Sequence, residues 1–494
     1  MEYFYSHLPI IQILVPFIAA PICLLIGGKT SSWLIAFISS VTCLIISISL
    51  LSEVSDGSSI SYHIGGWPPP VGIEYVVDSA NSLLLILVSG ISMVVLLYAR
   101  DQLDFDVERN QHTLFYSCYL LCLTGLMGVL ITGDIFNVFV FLEISSLSTY
   151  VLVAQGARHD RRALTAAFNY LIMGTVGATF FVIGVGFLYM ATGSLNMSDI
   201  SERLADLESN KTIRTGYAFI AIGMGLKLAI FPLHLWLPNA YTFAPSAVTI
   251  FLSATATKVS LYVLIRMTFS VFDFNFNFIF ELLNYLVLPL AIIAMFTMSL
   301  VAIFQKDIKR MLAYSSIAQV GYMLVGISFL STKGLTATLV TLFNHGITKA
   351  TLFMSLGILT LSCGSSFIDR ISGIGKRKPW TGLAFLIGGL SLVGVPGTAG
   401  FISKWLLVEA ALDSGSTIIA LLIVVSSLLA IVYVWNVTEH IFFKESNLEY
   451  VAPVLSFRIY IPVWILSLSC VYFGVHTDLV LDAARIAAKS FFVN

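Results

Sequence analysis

Charge is scarce in this sequence. Asp, Glu, Lys and Arg make up 11% of its 494 residues, against 58% that are hydrophobic, and the mean hydropathy is +0.93. A soluble domain carries about a quarter charged residues, so the composition excludes a water-soluble fold and fits a polytopic membrane protein. The net charge of -1 and the absence of an acidic or basic tail exclude nucleic acid as a partner, because a phosphate-binding surface needs an excess of Lys and Arg. Basic residues are missing from the first ten positions, MEYFYSHLPI. A secretory signal with its basic n-region is therefore not expected, and the first apolar run is expected to stay as a helix. Metal-type cysteine spacing is missing too: Cys23, Cys43, Cys118, Cys122, Cys363 and Cys470 stand mostly inside apolar runs. Cys118 and Cys122 share a helix face but have no further ligands, so the thiols read as small packing residues. There is no GxxxxGK[ST] loop, no HExxH and no strand-linked GxGxxG, and SGIGKRK lacks the rest of a phosphate cradle. Asn196, Met197 and Ser198 match a glycosylation acceptor only trivially. No nucleophile stands at sensible spacing from a base, so no cofactor, metal or catalytic site is expected.

What fills the chain is apolar runs of membrane-spanning length. Runs of about 17 to 25 residues recur near 9–27, 32–52, 80–98, 113–131, 135–154, 165–190, 216–237, 246–269, 283–304, 311–330, 336–361, 382–408, 416–440 and 456–476. The fold class predicted is therefore all-α, with about fourteen transmembrane helices. The longest polar connections are 53–79, with its GGWPPP turn cluster, and 194–214. Orientation follows from the Lys and Arg of the loops. With the amino terminus outside, Lys29, Arg100, Arg109, Arg158, Arg161, Arg162 and the basic clusters at 306–310, 370–378 and 444–458 fall on the cytoplasmic side. Arg203, Lys211, Arg214, Arg266, Lys333, Arg485 and Lys489 fall on the other. Both termini are then expected to be external.

Four lysines remain inside the spans: Lys227, Lys258, Lys349 and Lys404. A cation at mid-membrane costs about 2.5–3.5 kcal/mol on insertion scales, so each is a functional candidate by default. Glu143, in TGDIFNVFVFLEISSLSTYVL, supplies the opposite charge near mid-depth. Lys258 follows Ser253, Thr255 and Thr257, hydroxyls that suit a hydrated interior face. His345 and Lys349 in LFNHGITKATLF are four apart and share a helix face with Asn344 nearby. The competing reading for Lys227 and Lys404 is that each reaches an interface with its ammonium. His234 is the weaker candidate, since a lone histidine is more often a satisfied core residue.

Two prolines accompany two of the lysines. Pro232, in GLKLAIFPLHLWLP, and Pro396, in LVGVPGTAGFISKW, remove a backbone donor and clash with the preceding turn. Each is expected to break its helix beside Lys227 or Lys404. Interrupted helices in both halves of a chain point to an inverted-repeat transporter, whose ion path lies where they meet.

These residues resemble a known family, the antiporter-like membrane subunits shared by proton-pumping NADH–quinone oxidoreductase, membrane-bound hydrogenases and multisubunit Mrp cation/proton antiporters. The resemblance runs from GIEYVVDSANSLLLI through GDIFNVFVFLEISSLSTYVL, GLKLAIFPLHLWLPNAYTFAPSAVTIFLSATATK, DIKRMLAYSSIAQVGYML and NHGITKATLF to GVPGTAGFISKW. It implies fourteen helices containing two five-helix inverted repeats, helices four to eight and nine to thirteen, with helices seven and twelve broken. The implied division is an N-terminal segment 1–112, repeats 113–270 and 271–443, and a C-terminal helix and tail 444–494. Glu143 resembles the family's acid on the fifth helix and Lys227 its partner on the seventh. Lys258 resembles the bridging lysine on the eighth, His345 and Lys349 the polar pair on the eleventh, and Lys404 the twelfth-helix lysine or glutamate. Length and the Lys404 segment are most similar to the D-type subunits of Mrp antiporters, with hydrogenase subunits close behind. The function implied is proton translocation within a hetero-oligomeric Na+(K+)/H+ antiporter of the bacterial inner membrane. A pumping subunit of a redox complex is the alternative, and a scaffold is the bland one. An alkali ion prefers oxygen ligands, which a lysine row hardly offers, so protons are expected here and the metal ion at a subunit boundary or in a partner.

Overall fold

The computed structural model describes residues 6–207, 210–272, 276–445 and 456–492. The stretch 1–5, which bears on the signal-segment reading, lies outside the described residues. Among the described residues, twelve helices are long and apolar enough to cross a membrane. They are Leu8–Ile26, Lys29–Glu53, Ser79–Asp106, Arg109–Ile131, Ile135–Arg158, Arg162–Thr192, Ser246–Val271, Asn277–Ile303, Ile308–Ser328, Thr332–Cys363, Thr417–Phe442 and Phe457–Val475. Two further spans fall short of that length because each is split. One runs Lys211–Leu228 and Trp236–Phe243, the other Pro379–Val393 and Ala399–Asp413. Counting the split pairs as the seventh and twelfth, the spans are numbered 1 to 14, and the chain is a multi-pass membrane protein.

The inverted repeat is visible in local hydrogen bonding. Asp134 caps span 5 by accepting from the Asn137 amide at 2.7 Å, and Asp307 caps span 10 by accepting from Arg310 at 3.2 Å. Each cap also forms an isolated antiparallel bridge to the chain leaving the following span, Asp134 with Asn196 and Asp307 with Phe367. An odd number of crossings separates the two caps, so the same motif recurs at opposite ends of the bundle. In both sets of five the third span is the longest unbroken helix, Arg162–Thr192 and Thr332–Cys363, and the fourth is the broken one.

Burial is uneven. In their most apolar stretches spans 8 and 10 are 94% buried and span 11 is 89% buried, whereas spans 9, 13 and 14 are 33% buried. The lysine-bearing spans 8 and 11 therefore lie in the interior, and spans 9, 13 and 14 at the periphery. Spans 6 and 7 meet through glycines, Gly177 against Gly223 and Gly184 against Gly216, with backbones close enough that a methyl on Gly223 would lie 2.6 Å from the Gly177 carbonyl oxygen. Such small-residue seams replace the hydrophobic effect, which cannot drive helices together in lipid.

The structure fills in the polar connections and moves one residue. The polar connection 53–79 holds a two-stranded ribbon, β1 (Ile60–His63) against β2 (Glu74–Val77). The connection 194–214 contains a short helix, Met197–Asp206, capped by Asn196. The C-terminal tail folds as an amphipathic helix, Asp478–Ser490, lying on spans 3 and 11. Arg266, counted above with the loop cations, stands inside span 8 with a side chain 16% exposed. Its pairing with Asp78 of span 3 is what admits it there.

Candidate functional site

Span 7 stops at Leu228 because Ala229 turns into the left-handed region at φ 61°. The backbone groups this frees are satisfied locally. Ile230 N–H donates to the Gly225 carbonyl at 2.9 Å, and the Trp236 indole N–H donates to Leu226 O at 2.9 Å. Lys227 sits in the last turn before the break. Its Nζ lies 3.4 Å from Glu143 Oε1 and donates to Ser146 Oγ at 2.5 Å. Glu143 and Ser146 are three apart on span 5 and so share a face. The lysine is nearly enclosed while the carboxylate retains 23% exposure.

Span 8 is bent at Thr255, whose φ of -123° and ψ of -57° separate Ser246–Ala254 from Ala256–Arg266. Lys258, 1% exposed, folds back and donates to the Ser253 carbonyl released by that bend, and to Thr257 Oγ1 at 3.4 Å. Gly346 of span 11 packs here: a methyl on it would lie 3.0 Å from Ala254 O. That close approach brings the His345 level of span 11 against the bend. Lys349, fully buried, donates to Ser315 Oγ at 2.5 Å and to Leu312 O at 2.8 Å, both on span 10. Nine residues after the Asp134 cap stands Glu143, whereas nine after the Asp307 cap stands Ser316. The second set of five thus has a hydroxyl where the first has the carboxylate, and Lys349 bonds to the adjacent Ser315.

His345 is buried, and neither ring nitrogen has a hydrogen-bond partner among the described residues. It lines a small cavity together with Gln319, Thr348, Ser403 and Lys404. Lys404 on the second half of span 12 reaches back across the break at Gly394–Thr398 and donates to Val393 O at 2.6 Å and Leu392 O at 3.2 Å. A cation at the carbonyl end of a half-helix is favoured by the helix dipole. Its Nζ also lies 5.3 Å from the centroid of Tyr322. Asn344 fastens the other half-helix, donating to Ala399 O at 2.9 Å and Ser403 Oγ at 3.1 Å. Neither Lys227 nor Lys404 reaches toward an interface, so the snorkelling reading fails for both.

The structure pairs Glu143 with Lys227 and places His345 and Lys404 on one cavity. His234 stacks on Phe231 at 5.4 Å between centroids and is buried, with Nδ1 unpartnered among the described residues. No contact ties it to the other groups. Pro232 and Pro396 both lie in the breaks, as their ring chemistry requires. Ser146, Ser315 and Gln319 were not anticipated. The spacing of Ser146 from Glu143 was a usable signal, whereas Ser315 becomes meaningful only once spans 10 and 11 are packed.

Residues 132–430 match a family described as NADH:quinone oxidoreductase/Mrp antiporter, TM. The chain is 37% identical over 444 residues to the N subunit of NADH-quinone oxidoreductase from Desulforudis audaxviator, spanning 89% of this chain and 87% of that one. It is 30% identical over 444 residues to the D subunit of the Na(+)/H(+) antiporter from Bacillus subtilis, spanning 90% and 88%. Among solved structures, a chain of the Mrp complex from a Dietzia species superposes with a TM-score of 0.90 at 25% identity, covering 99% of this chain and 98% of that one.

Proposed function

The chain belongs to the NADH:quinone oxidoreductase/Mrp antiporter family of transmembrane subunits, and on that premise we propose that it translocates protons as one component of a multisubunit Na+(K+)/H+ antiporter. The observation that carries this reading is the contrast among the four lysines. Lys227 alone has a carboxylate partner, while Lys258, Lys349 and Lys404 are held by backbone carbonyls and hydroxyls. A neutral acceptor accommodates an amine as well as an ammonium, so these three groups are free to change protonation state. Separating Lys227 from Glu143 at the break of span 7 hands a proton on to the other lysines. The route runs from Lys227 to Lys258, then to Lys349 and His345, and through the polar cavity to Lys404. His345 suits an intermediate place because its ring both accepts and donates.

Under this reading the two five-helix units are 113–270 and 271–443, flanked by 1–112 and 444–494. The membrane is the bacterial inner membrane, with the loop-rich cationic end in the cytoplasm and both termini outside. The metal ion crosses at a boundary with a partner subunit. The chain is a transporter component and not by itself an enzyme. A second reading, a pumping component of a redox complex powered by electron transfer elsewhere, is favoured by the 37% identity to an oxidoreductase subunit. The proteins that co-purify with the chain separate the two. The shared premise is tested by proton transport in everted vesicles carrying Glu143→Gln with assembly verified, and near-normal transport refutes it.

A further inference from the structure

The outer half of span 12, Ala399–Asp413, is tied to span 11 at both of its ends. At the break, Asn344 Nδ2 donates to Ala399 O at 2.9 Å and to Ser403 Oγ at 3.1 Å. At the far end, Lys333 Nζ lies 3.2 Å from Glu409 Oε1 and closes a second ion pair with Asp413. Lys333 precedes Asn344 by eleven residues and Asp413 follows Ser403 by ten, so at the rise of an α-helix the two ties stand about 15–17 Å apart along both helices. A rod held at two places cannot turn about its own axis. Lys404 projects from this rod next to Ser403 and holds its amine against the Leu392 and Val393 carbonyls across the break, so a turn of the rod would carry the amine away from them.

The charges of the outer tie are misplaced for their own helices. Lys333 is the second residue of span 11, where the helix dipole disfavours a cation, and Asp413 is the last of span 12, where it disfavours an anion. Successive spans run antiparallel, so each charge stands at the favourable end of its neighbour. The side chains of Lys333, Glu409 and Asp413 are 58%, 45% and 48% exposed, and pairs so exposed add little to stability. Local helix stability does not account for these charges; the link between helices does.

Span 7 is tied differently. The Arg162 guanidinium lies 4.6 Å from the ring centroid of Phe243 at the end of its outer half, and Asn239 Oδ1 there accepts from Arg310 Nη2 at 2.9 Å. Arg162 opens span 6 as Lys333 opens span 11. Each broken helix is therefore met at its outer end by a cation from the long span before it, on a ring and a neutral amide in one case and on carboxylates in the other. Salt screens exposed ion pairs. Arg485 and Lys489 of the C-terminal helix line the same cavity as Lys333 and Glu409, so this tie opens onto the end of the bundle that carries both termini.

We propose that Lys333, Glu409 and Asp413 form a latch that sets the rotation of the half-helix bearing Lys404, and that salt on the termini face loosens it. The three are positioning residues, and the inference rests on the reading of Lys404 as a proton carrier. Lys333→Gln opens the latch at an exposed site. In the purified complex, amide hydrogen exchange over 399–413 is expected to speed about two- to fivefold with the melting temperature unchanged, and flux per assembled complex in sealed vesicles to fall by about the same factor. The charge swap Lys333→Glu with Glu409→Lys is expected to restore both. High salt is expected to bring the unsubstituted protein to the Lys333→Gln exchange rate and to leave that variant where it is. Unchanged exchange in Lys333→Gln, or a swap that restores nothing, overturns the latch. Faster exchange with undiminished flux overturns its positioning of Lys404. Absence of flux in the unsubstituted complex overturns the conduction reading, while exchange still decides the latch.

Discussion

Lys404 Nζ donates to the carbonyl oxygen of Val393 at 2.6 Å, so the lysine of one half-helix closes the open end of the other. The same side chain therefore has a structural duty and a proposed proton-carrying one. Lys227 differs, because Trp236 caps the Leu226 carbonyl at its break and leaves the ammonium to Glu143 and Ser146.

Two substitutions at Lys404 separate these duties. Lys404→Met leaves the Leu392 and Val393 carbonyls unpaired and should lower stability by about 1–3 kcal/mol. Lys404→Arg keeps a donor but cannot release a proton under any physiological condition. It is expected to retain thermal stability in detergent while proton flux is lost. Normal flux in the arginine variant would remove Lys404 from the pathway.

At the other break, Glu143→Gln keeps the shape and loses the charge. Proton flux should fall at least about tenfold with the complex still assembled, and Lys227→Met should match it because the two act as one unit. Ser146→Ala removes a neutral partner only and is expected to cost about 1 kcal/mol of stability with flux largely kept. The measurement is flux per assembled complex in everted vesicles.

His345 gives the clearest separation of function from stability. Its ring nitrogens have no hydrogen bonds to lose among the described residues, so His345→Leu should change stability by less than about 1.5 kcal/mol. Flux should nevertheless collapse, because leucine neither accepts nor donates a proton. A variant that unfolds at markedly lower temperature would show instead that the imidazole is a packing element.

The glycine seam between spans 6 and 7 sets the reach of Lys227. A methyl on Gly223 would stand 2.6 Å from Gly177 O and 2.7 Å from the Phe181 amide nitrogen, both backbone atoms that cannot rotate away. Gly223→Ala should destabilise by about 1–3 kcal/mol and lower flux by displacing Lys227 from Glu143. Gly186, with open space around it, is the control, and equal effects at both positions would argue against the seam.

The sequence by itself determined the membrane class, the number of crossings, the two interrupted helices and the four lysines that lie inside apolar runs. Each of these is a one-dimensional quantity. Hydropathy prices a charge inside an apolar run wherever that run folds, and proline breaks a helix through its own ring. Apart from the Glu143–Lys227 pair, which the family resemblance already implies, tertiary structure decided the partners. Nothing local distinguishes Lys227, which meets a carboxylate, from Lys349, which meets Ser315, because that depends on which faces of distant spans are brought together. The same holds for Arg266, whose place among the loop cations was reversed by Asp78, 188 residues away in the chain. Packing also shaped the bend at Thr255 that gives Lys258 its carbonyl. The cost of burying an ion in a membrane follows from sequence, but whether the ion finds a partner is settled only when helices dock.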